Sequence, residues 1–191
     1  MKYFFDNNIK KIILPFAFHF YLKGRMFSNK EAEYLIGLEK EFRNPVGAID
    51  IRKEKNRFAL IAPEDDAYSF LMQITLSQKI EFKATIHHAE SNVSVGLSRI
   101  DYKGGHSNPT VITDKVPSNL HRYVNKIFAP DEPHMHIYVE DYKNLVWAVP
   151  LEDTDFPIKK LNSDKDLQSA IRAFGNKINL TSDINFADTL F

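Results

Sequence analysis

Between Ile80 and Leu97 the chain alternates with a period of two. Ile80, Phe82, Ala84 and Ile86 are separated by Glu81, Lys83 and Thr85, and Val93, Val95 and Leu97 resume the period beyond Ala89-Glu90-Ser91-Asn92. On a strand this spacing sends every apolar side chain to one face and every polar one to the other. Strands buried on both faces read instead as continuous apolar runs. The pattern therefore predicts an antiparallel hairpin over 79–88 and 93–102 with one solvated face. His87 and His88 fall at the expected strand end and read as solvated turn residues.

The flanking segments extend this sheet and add helices. Ser28 followed three residues later by Glu31 is a capping box, and Leu35, Leu38 and Phe42 follow at helical spacing, so 29–43 reads as a helix stopped by Asn44-Pro45. Apolar-rich runs at 47–53, 57–62 and 68–76 read as strands, as does 134–149 between Pro133 and Pro150. Ser163 with Asp166 opens a second helix, with Leu167, Ala170, Ile171 and Phe174 on one stripe and Gly175 where a helix ends. The order helix, five or six strands, helix predicts an α+β fold: a mainly antiparallel sheet with an N-terminal and a C-terminal amphipathic helix packed on it.

At 191 residues, 43% of them hydrophobic, the chain is long enough to bury a substantial core. The expected organisation is an N-terminal extension over 1–25, one α+β domain over 26–180, and a tail over 181–191. Within the domain, 103–132 holds Gly104, Gly105, Pro109, Pro117 and Pro130 and reads as a long loop or insertion, with a short helix at 118–128. The apolar run Ile12 to Leu22, broken by Pro15 and His19, is too short to span a bilayer and lacks a small-residue cleavage site. With no cysteine in the chain, disulfides and thiolate metal sites are excluded, and a cytoplasmic location is expected. Twenty-five Lys and Arg balance twenty-five Asp and Glu, which argues against coating nucleic acid through bulk charge. Neither G-x-x-x-x-G-K nor G-x-S-x-G occurs, so P-loop and serine-hydrolase chemistry is not indicated.

Chemistry concentrates in Gly104-Gly105-His106-Ser107-Asn108-Pro109 and Pro133-His134-Met135-His136-Ile137-Tyr138. On a strand His134 and His136 share a face about 6.5–7 Å apart along the backbone, close enough to serve one phosphate or one metal. Arg99 and Asp101 share a face one strand earlier. Histidine suits both halves of acid–base catalysis because its ordinary pKa is near neutrality. RNA cleavage without a metal then assigns acid and base to His134 and His136, phosphate binding to Arg99, and orientation of a ring or of Arg99 to Asp101. His106, Tyr138 and Asn108 are the expected substrate-binding residues.

In order and residue type, Leu97-Ser98-Arg99-Ile100-Asp101, the two histidine stretches and Trp147-Ala148-Val149-Pro150 resemble a prokaryotic domain-of-unknown-function family, from Met26 to about Asn179. The chain departs from that pattern in an insertion of about twenty residues between the two histidine motifs. More loosely, the order Arg99, Asp101, His106, His134, His136 is similar to the signature of TumE-type toxins of bacterial toxin–antitoxin pairs. Gly105 stands where those have a proline. That resemblance implies an endoribonuclease toxin, with RNA and a cognate antitoxin as partners. Two alternatives stand beside it. His106, His134 and His136, with Asp101, are a candidate divalent metal set in place of a cofactor-free site. A non-enzymatic phage or mobile-element protein that binds and inhibits a host defence protein would use the histidines structurally. Tyr138 in place of a third alternating histidine excludes the histidine-triad nucleotide hydrolases.

Overall fold

A computed structural model describes residues 26–187; the expected extension 1–25 and the end of the tail, 188–191, lie outside them. Helix α1 spans Asn29–Gly37 and α2 spans Asp164–Lys177. The strands are β1 Glu41–Phe42, β2 Lys55–Ile61, β3 Ser69–Leu76, β4 Ala84–Glu90, β5 Val95–Asp101, β6 His106–Ser107, β7 Ile127–Phe128, β8 His134–Ile137 and β9 Trp147–Pro150. Seven of them form one antiparallel sheet in the order β1-β2-β3-β4-β5-β8-β9, and β6 pairs with β7 separately. The α+β architecture read from the sequence is therefore the observed one. Among the described residues, no helix is long and apolar enough to cross a membrane.

One face of the sheet is the core. Register places Ile74, Ile86, Ile100, Met135 and Val149 in one row, and Met72, His88, Ser98, Ile137 and Trp147 in the next. These rows pack with Leu35 of α1 and Leu167, Ile171 and Phe174 of α2. Lys40 joins the two helices: fully buried, it donates from Nζ to the carbonyls of Ile36, Leu38 and Ile178, at 3.0, 2.7 and 3.0 Å. Three carbonyls left over at two helix ends share one ammonium.

Several boundaries differ from the sequence reading, each for a local reason. Helix α1 stops at Gly37 because Leu38 turns extended (φ −54°, ψ 138°), so Phe42 lies on β1 opposite Leu60 and its ring meets Phe58. Residues 47–53 form no strand. Asp50 accepts from the Arg52 amide, a local turn bond that competes with pairing, and Ile49 makes only a single bridge to Phe186. Ile80 and Phe82 alternate but belong to a turn in which the Ser77 hydroxyl accepts from the Lys79 and Ile80 amides. The 134–149 run is two strands, β8 and β9, around a turn with Asp141, Asn144 and Leu145 in the left-handed region. Gly175 lies inside α2, where an added Cβ would come within 2.9 Å of Ile184; Asn179, at φ 56°, takes the left-handed position expected of it.

His88 is the largest correction. It sits within β4, wholly buried, its ring stacked on Phe70 at 5.4 Å and Nδ1 donating to the Leu71 carbonyl. Burial, and then the charge of Lys40, pushes its pKa down to about 3. The unfolded chain therefore binds a proton that the folded one refuses, so this group's contribution is complete above pH 6.5 and is lost as pH falls toward 3. Its share of the loss between pH 6.5 and 5 is about 2 kcal/mol. Replacing His88 with Leu is expected to remove one proton from the slope of stability against pH over that range, measured by urea unfolding. An unchanged slope contradicts the assignment, whatever the variant's absolute stability.

Candidate functional site

The sheet's second face carries two polar rows. Arg57, Gln73, His87, Arg99 and His136 face one another across five strands, and beside them run Lys55, Thr75, Thr85, Asp101 and His134. The period of two puts Arg99 with Asp101 and His134 with His136; the β5–β8 pairing then brings the two pairs together.

His106 reaches the same place from the insertion. Gly104, at φ 139°, makes a turn closed to other residues and gives its amide to the Pro130 carbonyl. Strands β6 and β7 then lay His106 and Phe128 over β8. The His106 ring lies 4.5 Å from that of His136 and 5.7 Å from that of His134, and Phe128 lies 4.6 Å from His134. The histidines at 106, 134 and 136 and the Arg99/Asp101 pair thus form one cluster.

Hydrogen bonds set the tautomers. His134 Nδ1 lies 2.8 Å from the Glu132 carbonyl and His136 Nδ1 lies 2.6 Å from that of Leu145; a carbonyl only accepts, so both Nδ1 atoms carry the proton. Both Nε2 atoms turn toward Asp101 Oδ2, at 3.7 Å and 3.0 Å. Arg99 closes the group: Nη2 is 2.6 Å from His136 Nε2, and Nε makes an ion-pair contact of 3.0 Å with Asp101 Oδ2. Nε2 of His136 therefore faces a donor, Arg99 Nη2, and an acceptor, Asp101 Oδ2, at once. Thr85 donates its hydroxyl to Asp101 Oδ1 at 2.6 Å.

Burial raises the Asp101 carboxyl, but His136, the Arg99 guanidinium and the Thr85 hydroxyl outweigh it and hold the group at about 2. The rings move the other way. Burial lowers His134 and His106, with the neighbouring His136 adding to both. His87, correctly placed by neither its sequence position nor its neighbours, is a half-buried residue within β4 opposite Arg99; burial, then Arg99, takes it down to about 4. His87 and Thr85 are the members that sequence reading missed. The signal was present, because Thr85 and His87 occupy the polar phase of the alternation whose apolar phase is Ala84 and Ile86.

Two expected substrate-binding residues are engaged elsewhere. The Tyr138 hydroxyl donates to the Phe27 carbonyl on the core side. Asn108 borders the cluster but spends its amide on the free edge of β9: Oδ1 accepts from the Ala148 amide at 2.8 Å, while Nδ2 donates to the carbonyls of Ala148 and Tyr123 at 2.7 and 2.9 Å. One side chain thereby completes a strand ladder that would otherwise stay open.

The donors also suit a metal. Nε2 of His134, Nε2 of His136 and a carboxylate oxygen of Asp101 lie within 4.8 Å of one another, and each imidazole gives its other N–H to a main-chain carbonyl, the usual support of a metal-bound histidine. His106 turns Nε2 to the Val146 carbonyl at 2.9 Å and stays outside this set. Arg99 Nη2 occupies the approach to His136 Nε2, so a metal there requires the guanidinium to withdraw.

No curated protein and no solved structure matches the chain. A family model described as a family of unknown function (DUF6978) matches residues 27–180, which contain both helices, all nine strands and every member of the cluster. The chain belongs to that family.

Proposed function

We propose that the protein is a metal-independent endoribonuclease, and that in a bacterial toxin–antitoxin or mobile-element setting it acts as the toxin. The observation that carries the reading is the cross-strand row His87–Arg99–His136: a guanidinium flanked on both sides by imidazoles. Arg99 is the member that meets solvent, at 30% exposure, whereas His136 is fully covered. A phosphate that draws the guanidinium outward leaves the Nε2 lone pair of His136 free.

The chemistry then balances as a transesterification. His136 takes the proton from a ribose 2′-hydroxyl, whose oxygen attacks the adjacent phosphorus. The bond to the 5′-oxygen breaks, and water at the exposed side of Arg99 supplies the proton that this oxygen needs. The products are a 2′,3′-cyclic phosphate and a 5′-hydroxyl. Arg99 holds the charge that builds on the non-bridging oxygens, and Asp101 stabilises the imidazolium formed at His136. His134 and His106 exclude water from that ring.

The convergence of two Nε2 atoms on one carboxylate oxygen favours a second reading, a divalent metal in the place of the guanidinium. One experiment separates the two. Purified protein and a labelled single-stranded RNA are incubated with and without EDTA, beside an RNA carrying one 2′-deoxy nucleotide at the cleaved position. Cleavage that persists in EDTA, ends in a cyclic phosphate and stops at the deoxy nucleotide is the expected result. Loss in EDTA with recovery on adding Zn²⁺ or Mn²⁺ replaces the acid–base reading with the metal one. Intact RNA under all conditions overturns both.

A further inference from the structure

The polar face of the sheet extends well beyond the cluster. Along the two rows, burial falls steadily away from β8: His134 and His136 are buried, Asp101, Arg99, Thr85, His87, Thr75 and Gln73 are half-buried, and Lys55 and Arg57 on β2 are exposed. The face is open at β2 and ends at β8 against a wall, where His106 and Phe128 of the insertion lean on His134.

Its charge is one-sided. The rows hold Lys55, Arg57 and Arg99 against one carboxylate, Asp101, which is already paired. Neither Lys55 nor Arg57 has an ion-pair partner among the described residues. Arg43 adds a fourth cation, its Nη2 on the Ser69 hydroxyl of the same face. Glu41 lies at the far corner, opposite Ile61. Arg57 and Arg99 are three inter-strand gaps apart, about 14 Å.

We propose that this face is a binding track for single-stranded RNA, which crosses β2 to β5 with its phosphates on Lys55, Arg57 and Arg99 and delivers the scissile linkage to the foot of the wall. The inference rests on the ribonuclease reading for its substrate and extends it to a surface four strands wide. A single strand can bend its 2′-hydroxyl to Arg99 beneath the insertion; a duplex keeps that edge inside a rigid helix. The rows contain no Phe, Tyr or Trp, so bases find no stacking platform. Thr75, Gln73 and the cations address sugar and phosphate, and recognition by this face is therefore salt-dependent and tolerant of base sequence.

The test is fluorescence anisotropy with a 5′-labelled, mixed-sequence single-stranded RNA, using the full chain carrying His136→Ala so that the probe stays whole. Adding Lys55→Glu and Arg57→Glu is expected to weaken binding at least tenfold and to flatten its dependence on salt. A control of equal charge change, Lys30→Glu with Lys165→Glu on the exposed sides of the two helices, is expected to bind like the parent. Equal losses in both double variants, or no loss in either, overturn the track. So does a parent chain that binds no RNA at all, including one that captures a protein instead. Unfolding midpoints by circular dichroism show whether each variant is folded; if Lys55→Glu/Arg57→Glu is not, Lys55→Gln/Arg57→Gln takes its place with the same expected direction. Binding by the track without cleavage by the unmutated chain supports this proposal and sinks the ribonuclease reading. Cleavage by the unmutated chain that is indifferent to Lys55→Glu/Arg57→Glu sinks the track alone.

Discussion

Replacing Arg99 with alanine is expected to lower RNA cleavage by about a thousandfold, at the upper end of what loss of a single transition-state donor costs. The residue reaches both His136 Nε2 and Asp101 Oδ2, so its loss removes the phosphate anchor and the cation between the carboxylate and the imidazole. Lysine keeps the charge but not the fork. Arg99→Lys is expected to fall between alanine and the parent, about ten- to a hundredfold down, because one ammonium cannot hold two fixed directions. Single-turnover cleavage at saturating protein reads the chemical step apart from binding. Alanine within threefold of the parent would refute the role given to this side chain.

Asn108→Ala is expected to cost about 2–4 kcal/mol of stability. The side chain is buried, and it bonds the Ala148 amide, the Ala148 carbonyl and the Tyr123 carbonyl, with His106 Nε2 3.2 Å from its Oδ1. Alanine offers no replacement, and each main-chain group left behind is shielded from solvent. Asn108→Asp tests the direction of the bonds, since a carboxylate can still accept from the Ala148 amide but confronts two carbonyls that need a donor. It is expected to be no better than alanine at neutral pH. Urea unfolding followed by tryptophan fluorescence suits the measurement, because Trp147 lies beside the clamped residue on β9. A change below about 0.5 kcal/mol in both variants would mean that solvent restores the edge.

Local periodicity reached far into this fold, and its limits have physical causes. The alternation from Ile80 to Leu97 contained the β4–β5 hairpin and its two-faced character, and the capping box at Ser28 marked the start of α1 to the residue. It failed at the ends. Ile80 and Phe82 kept the strand period inside a turn made by the Ser77 hydroxyl, which moved the expected strand upstream and put His87 and His88 at its end. Continued by one step, the same period places His88 with Ile86 in the core. For the site, shared faces were legible in Arg99/Asp101 and His134/His136. The contact between those pairs was not, because it depends on β8 pairing with β5 across the insertion. Nor was the fate of Asn108, whose partner on β9 lies forty residues away.

The anchoring carbonyls give the site a schedule during synthesis. Arg99 and Asp101 leave the ribosome first, His106 and Asn108 next, then His134 and His136; Leu145, Val146 and Ala148, whose carbonyls orient His136, His106 and Asn108, come last. A nascent chain halted near residue 140 holds every member of the cluster but lacks the carbonyls that orient His136 and His106. On the ribonuclease reading proposed above, this order separates making the reactive groups from arming them.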